Sequence, residues 1–147
     1  MQPVKKIISR GQSISACGAL SRYKLSKLVL IAEDEPLILE PLQFLLEHSG
    51  LRVITATDGM QAIRSIQELH PDLVILDVKM QHHSGFEVLK MIRADPTLSE
   101  TKVLILTAMR LKKEYRIAIE LGADKYITKP FSNKGLVADV NELLGLS

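Results

Sequence analysis

LVILDVKM, residues 73–80, begins with four consecutive aliphatic residues and places a carboxylate, Asp77, where the run ends. Four large apolar residues without alternation suit a strand covered on both faces, the situation that helices on both sides of a parallel sheet create. An ionised carboxylate at the end of such a strand costs several kcal/mol to desolvate unless it is paired or metal-bound. The stretch therefore predicts a layered α/β fold together with a site that compensates Asp77.

Working outward, β-type runs recur as KLVLIA (27–32), LRVIT (51–55), DLVIL (72–76), KVLIL (102–106) and DKYIT (124–128), with segments of helical period between them. Leu39, Leu42, Leu45 and Leu46 share one face of a segment from Pro36 to His48 that stops before Gly50. Pro41 removes a backbone donor inside it, so a kink there or a later start is expected. Thr57 or Asp58 caps a second helix carrying Ala62, Ile63, Ile66 and Leu69, and Phe86, Val88, Leu89 and Ile92 mark a third. Ile117, Ile119 and Leu121 outline a weaker fourth ending at Gly122, and Ser132 caps a fifth with Leu136, Val137, Val140, Leu143 and Leu144. Five βα units joined by right-handed crossovers predict a flavodoxin-like, doubly wound, five-stranded parallel sheet of order 2-1-3-4-5 with five helices.

The 147 residues, 46% hydrophobic and 24% charged, suffice for one domain and not two. Charge is uneven: residues 1–27 hold six Lys or Arg and no acid, while the rest holds thirteen basic against seventeen acidic residues. Residues 1–26 are accordingly expected to be a basic N-terminal extension that is disordered or lies upstream of the true start, with a targeting or partner-binding arm as the alternative. Residues 27–147 form the domain. The single Cys17 permits no internal disulfide, and no apolar run approaches the roughly 18 residues of a membrane span. A cytoplasmic protein is expected.

In an open α/β sheet, ligands bind beyond the carboxyl ends of the strands where strand order reverses, here between strands 1 and 3. The residues at those ends are Glu33-Asp34-Glu35, Asp77, Thr107-Ala108 and Lys129-Pro130. Carboxylates about 4 Å apart repel by about 4 kcal/mol per pair at an effective dielectric of ~20, so the cluster requires cations. Lys129 supplies one, and an all-oxygen site with open positions suits Mg²⁺. A carboxylate such as Asp77 is able to act as a nucleophile and form an acyl phosphate, with Lys129 neutralising the transferring group and the Thr107 hydroxyl donating to it.

This ordered set, with Tyr126 in the fifth strand, resembles the receiver domain of two-component response regulators from about residue 27 to the end. The resemblance implies a phosphoacceptor at Asp77, Mg²⁺ held by Asp34, Asp77 and the backbone carbonyl of Lys79, and Glu33 acting on the metal directly or through water. It also implies a switch in which the Thr107 hydroxyl moves toward the phosphoryl group and the Tyr126 ring turns inward, altering the surface of helix 4, strand 5 and helix 5. The implied partners are a histidine kinase or histidine phosphotransfer protein as donor, a downstream target protein, and a second copy through that same surface. Such a domain is a regulator that assists its own phosphorylation and dephosphorylation, not an enzyme acting on a separate substrate. Sixteen residues follow Phe131, too few for a DNA-binding module, so output by protein contact or phosphorelay is expected.

The chain departs from the family at three points. Glu33 stands where Asp is frequent, and Gln81 follows Met80 where Pro is common, which removes a backbone restraint. Lys79 and Met109 occupy positions that tune acyl-phosphate lifetime in the family. Simpler roles fit other polar residues: Glu35 as a helix-start acid, His82 and His83 as exposed loop residues, His48 and His70 near helix ends, Lys112 and Lys113 on a solvated face. Competing classes are a flavodoxin-like cofactor carrier, whose phosphate the acids after strand 1 would repel, and a phosphatase or dehalogenase, whose nucleophile belongs after strand 1. A receiver-shaped interaction module that is never phosphorylated is the remaining alternative.

Overall fold

Side chains along a strand alternate between the two faces of a sheet, so a strand that is apolar throughout feeds two cores at once. The computed structural model describes residues 27–108 and 110–146; the expectations for the extension 1–26, with Cys17, and for Met109 lie outside the described residues. Five strands, β1 (Leu28–Ala32), β2 (Arg52–Ala56), β3 (Leu73–Leu76), β4 (Lys102–Thr107) and β5 (Lys125–Thr128), pair in parallel in the order β2-β1-β3-β4-β5. They alternate with α1 (Pro36–His48), α2 (Gly59–Leu69), α3 (Gly85–Ala94), α4 (Lys112–Glu120) and α5 (Asn133–Leu144), and a 3-10 turn at Pro96–Leu98 precedes β4.

The alternation divides the apolar residues between the two sides. Leu30, Val74, Leu76, Val103 and Ile105 pack with Ile66 of α2, Leu89 and Ile92 of α3 and Ala118 of α4. Their neighbours Val29, Ile31, Leu73, Ile75, Leu104 and Leu106 pack on the other face with Leu42 and Leu46 of α1 and Leu136 and Val140 of α5. The unbroken LVIL of β3 is thus buried at all positions because both faces are covered.

Local signals explain most helix boundaries. Asp58, rather than Thr57, caps α2, its Oδ1 accepting from the Gln61 amide at 2.8 Å. Ser84 and Glu87 form a reciprocal capping box on α3, and Ser132 caps α5 by accepting from Gly135 at 2.8 Å. Two expectations need correction. Helix α1 starts at Pro36, where a missing N–H costs nothing, rather than later, and includes Pro41. Pro41 and Leu37, whose carbonyl loses its donor, both lie on the exposed side, with Leu37 84% accessible, so the missing bond falls where solvent reaches the helix. In α4 only Ala118 is buried and Ile119 is 42% exposed. Ile117 and Ile119 are two residues apart, which on a helix sends them to different sides.

At the end of the sheet where β4 and β5 begin, Arg93 of α3 donates to the carbonyls of Gly122 (2.9 Å) and Thr101 (2.8 Å) and to Asp124 Oδ2 (2.8 Å). Arg93→Ala strands these acceptors and is expected to cost about 2 kcal/mol in denaturant unfolding.

Candidate functional site

The sheet's hydrogen bonding continues one residue past the strands and fixes the backbone of each polar residue there. Glu33 N–H donates to the Ala56 carbonyl (3.0 Å), Asp77 N–H to Ala32 (3.0 Å) and Lys129 N–H to Thr107 (2.8 Å). With the ladder between β3 and β4, these bonds hold the ends of all five strands side by side. Lys129 reaches between two carboxylates, its Nζ 2.9 Å from Glu33 Oε1 and 3.3 Å from Asp77 Oδ2. The second oxygens accept backbone donors: Glu33 Oε2 from Glu35 at 3.2 Å and Asp77 Oδ1 from Lys79 at 3.3 Å.

Glu33, Asp34 and Asp77 each bring an oxygen to within 4.8 Å of the others. Glu33 and Asp77 are buried and Asp34 is exposed, so the cluster opens to solvent on the Asp34 side. There a cleft of about 510 Å³ is lined by Asp34, Glu35, Asp77, Lys79, Thr107, Ala108 and Lys129. Every site residue expected from the sequence except Glu33 and Tyr126 lines this cleft, and Glu33 touches it through Lys129.

The electrostatics reveal too little positive charge. Burial raises the Glu33 pKa to about 7, the hydrogen bond from Lys129 opposes the rise, and the charge of Asp77 adds to it. Burial lowers the Lys129 pKa, but the hydrogen bond to Glu33 and the charges of Asp77 and Glu33 carry it above the usual lysine value. One ammonium faces three carboxylates. The residues present thus fit a hard divalent cation such as Mg²⁺, which takes oxygen donors and retains exchangeable waters.

The loop after Asp77 is held by contacts that sequence reasoning missed. Gln81, in the place where proline was noted as absent, accepts at its carbonyl from Gly59 N–H (3.1 Å) and His83 N–H (2.8 Å). His82 adds a contact to Asp58 at 3.3 Å, and His83 Nδ1 lies 3.1 Å from Glu87. The loop is thus tied to the start of α2 and to α3, with His82 facing the α2 cap Asp58 and His83 facing Glu87 of α3. Gly85 donates to the Val78 carbonyl at 2.9 Å, and a Cβ built on it would overlap the carbonyl oxygen of Asp77. Because the clash is with backbone, Gly85→Ala must displace either α3 or the end of β3. A loss of about 1–3 kcal/mol in stability is expected, measured by denaturant titration. The Ser84-Gly85 pair before a helix was the available signal.

Arg110 was also missed: its Nη2 donates to the Lys129 carbonyl at 2.7 Å, bracing the loop after β4 against the end of β5. No sequence pattern marks it. Tyr126 lies outside the cleft, paired in register with Ile105 and packed against the core shared by α2, α3 and α4. Its ring meets that of Tyr115 edge-on, with centroids 5.3 Å apart and planes at 86°. Burial, and then the nearby charge of Glu114, raise the pKa of its phenol.

Comparison with known proteins agrees with this geometry. A family model described as the response regulator receiver domain matches residues 29–141. The alkaline phosphatase synthesis transcriptional regulatory protein PhoP of Bacillus subtilis is 39% identical over 120 residues, covering 82% of this chain and 49% of that protein. The chain spans about half the length of the curated relatives it matches. A solved response regulator from Chloroflexus aurantiacus superposes with a TM-score of 0.78 at 30% identity, covering 82% of this chain and 98% of that one. The receiver domain of the sensor histidine kinase PA1611 from Pseudomonas aeruginosa, solved with magnesium coordinated in its active-site cleft, gives a TM-score of 0.76 at 26% identity over 82% of this chain and 98% of that one.

Proposed function

The chain belongs to the response regulator receiver family, and from that premise we propose that it accepts a phosphoryl group on Asp77 from a histidine kinase or histidine phosphotransfer protein. The observation that carries this reading is Lys129 Nζ held between Glu33 and Asp77, beside Thr107, at the open end of the sheet. An Asp77 carboxylate oxygen attacks phosphorus in line, the phosphorus–nitrogen bond of the donor phosphohistidine breaks, and the ring, already protonated on its other nitrogen, leaves as neutral imidazole. Lys129 offsets charge on the phosphoryl oxygens, and the Thr107 hydroxyl donates to one of them. Asp34, Asp77 and the Lys79 carbonyl, with Glu33 directly or through water, would hold Mg²⁺, which when bound supplies the charge neutralisation that one lysine does not.

Buried Thr107 sits one strand from Tyr126, and its movement toward a phosphoryl group opens space on the side of that ring. The surface affected is that of α4, β5 and α5, where Lys125 joins β5 to α5 through Asp139 (3.5 Å) and Glu142 (3.3 Å). A target protein or a second copy would dock there. Among the described residues no helix is long and apolar enough to cross a membrane, and family membership supports a cytoplasmic role. The family match over residues 29–141 lies inside the boundaries proposed for the receiver, 27–147.

Incubation with a small acyl phosphate and Mg²⁺ tests the proposal. An acid-stable, base-labile mass increase confined to the peptide containing Asp77 is expected; a chain that remains unmodified, or is modified elsewhere, refutes it.

A further inference from the structure

We propose that Tyr115 is a positioning residue that holds Tyr126 in its present orientation and so sets the affinity of the site for a phosphoryl group. The inference rests on the reading of Asp77 and the Thr107–Tyr126 switch given above. The edge-to-face arrangement at 5.3 Å and 86° is the favourable geometry for two aromatic rings, with the positive edge of one directed at the negative face of the other. Tyr115 projects from α4, whose single buried residue is Ala118 and whose first residues have no side-chain cap. It is itself 51% exposed. A ring that half faces water on a lightly anchored helix adds little to the core, and its main packing partner among the described rings is Tyr126.

The residue before it carries a cost in the present arrangement. Glu114 Oε1 is buried and, among the described residues, is the one buried side-chain oxygen without a hydrogen-bond partner. A stranded buried oxygen penalises the present position of the first turn of α4 and favours its displacement. The Tyr115–Tyr126 contact acts in the opposite sense. Moving Tyr126 toward the space beside Thr107 breaks the ring contact, so the contact is present in one state of the switch and absent in the other. Such a differential interaction biases the equilibrium, and by linkage the site it is coupled to.

Removing the ring should therefore tighten binding of a phosphoryl mimic. Beryllofluoride with Mg²⁺ is the probe, titrated into the full chain and followed by amide shifts near Asp77 and in α4. Tyr115→Ala is expected to raise the apparent affinity by about two- to tenfold, the range a single aromatic pair supports. Tyr115→Phe, which keeps the ring, should match the parent chain. In a Tyr126→Ala background, Tyr115→Ala should have no further effect, an outcome that general loosening of α4 does not produce. Unchanged or weakened affinity in Tyr115→Ala, or an equal gain in the Tyr126→Ala background, overturns the proposal alone. A parent chain that takes no beryllofluoride overturns it together with the phosphoacceptor reading, so the two failures are distinguishable.

Discussion

Asp77→Asn is expected to abolish phosphoryl acceptance while leaving the fold intact. The amide is nearly isosteric with the carboxylate but carries no anionic oxygen to attack phosphorus, and loss of a nucleophile typically lowers the rate by at least about a hundredfold. The substitution leaves Lys129 paired with Glu33 at 2.9 Å, so no buried cation is stranded. It also removes one of three crowded carboxylates, and with it a repulsion that raises the Glu33 pKa. The variant should therefore fold at least as stably as the parent. Intact-mass analysis after incubation with a small acyl phosphate and Mg²⁺, alongside a denaturant melt, measures both effects. Labelling at the parent rate would place the acceptor elsewhere; Asp34, which shares the cleft, would then be examined by the matching Asp34→Asn variant.

The second large effect concerns the metal-free chain and pH. Glu33 binds its proton more tightly in the folded protein, where its pKa is about 7, than in the unfolded chain, where it takes the ordinary glutamate value of 4.5. Stability from this group is fully present below pH 4.5 and is lost as pH rises through 7. The difference corresponds to about 3 kcal/mol at one unit per ~1.4 kcal/mol, a large share of a typical domain's stability. With a chelator present, unfolding midpoints should fall between pH 5 and pH 7.5. Glu33→Gln should flatten that dependence, because the amide does not ionise. Adding Mg²⁺ at the higher pH should restore stability, since a ligand bound only by the native state adds to its free energy. The Lys129 pKa is raised from a value of 10.5, so its own contribution changes only above that range and does not obscure the test. A parent chain whose midpoint is flat across this interval would show that Glu33 does not carry the proton the geometry assigns it.

The sheet order and the cluster of charged residues were both accessible from the linear sequence, for a shared reason. Residues 73–76 are apolar without a break, and a strand of that kind is stable only with helices on both faces. Once the strands are parallel, their carboxyl ends fall on one edge, and Glu33, Asp77 and Lys129 just past β1, β3 and β5 meet Thr107, the last residue of β4, there. Glu33, Asp77 and Lys129 meet because the β-ladder hydrogen bonds extend one residue beyond the strands. The buried face of α4 was less accessible, since Ile117 and Ile119 stand two residues apart and the sole buried side chain is the small Ala118 between them.

By itself the sequence determined the alternation of strands and helices, the parallel order and the set of residues gathered at one edge, because these follow from periodicity and chain order. Tertiary structure alone decided how the site is braced and balanced. It set Gly85 against the Asp77 carbonyl, Arg110 on the Lys129 carbonyl, Gln81 against Gly59, and Tyr115 against Tyr126. It also raised the Glu33 pKa by burial. Such contacts join residues with no fixed separation along the chain, and their strength depends on distance and solvent exclusion, neither of which periodicity encodes.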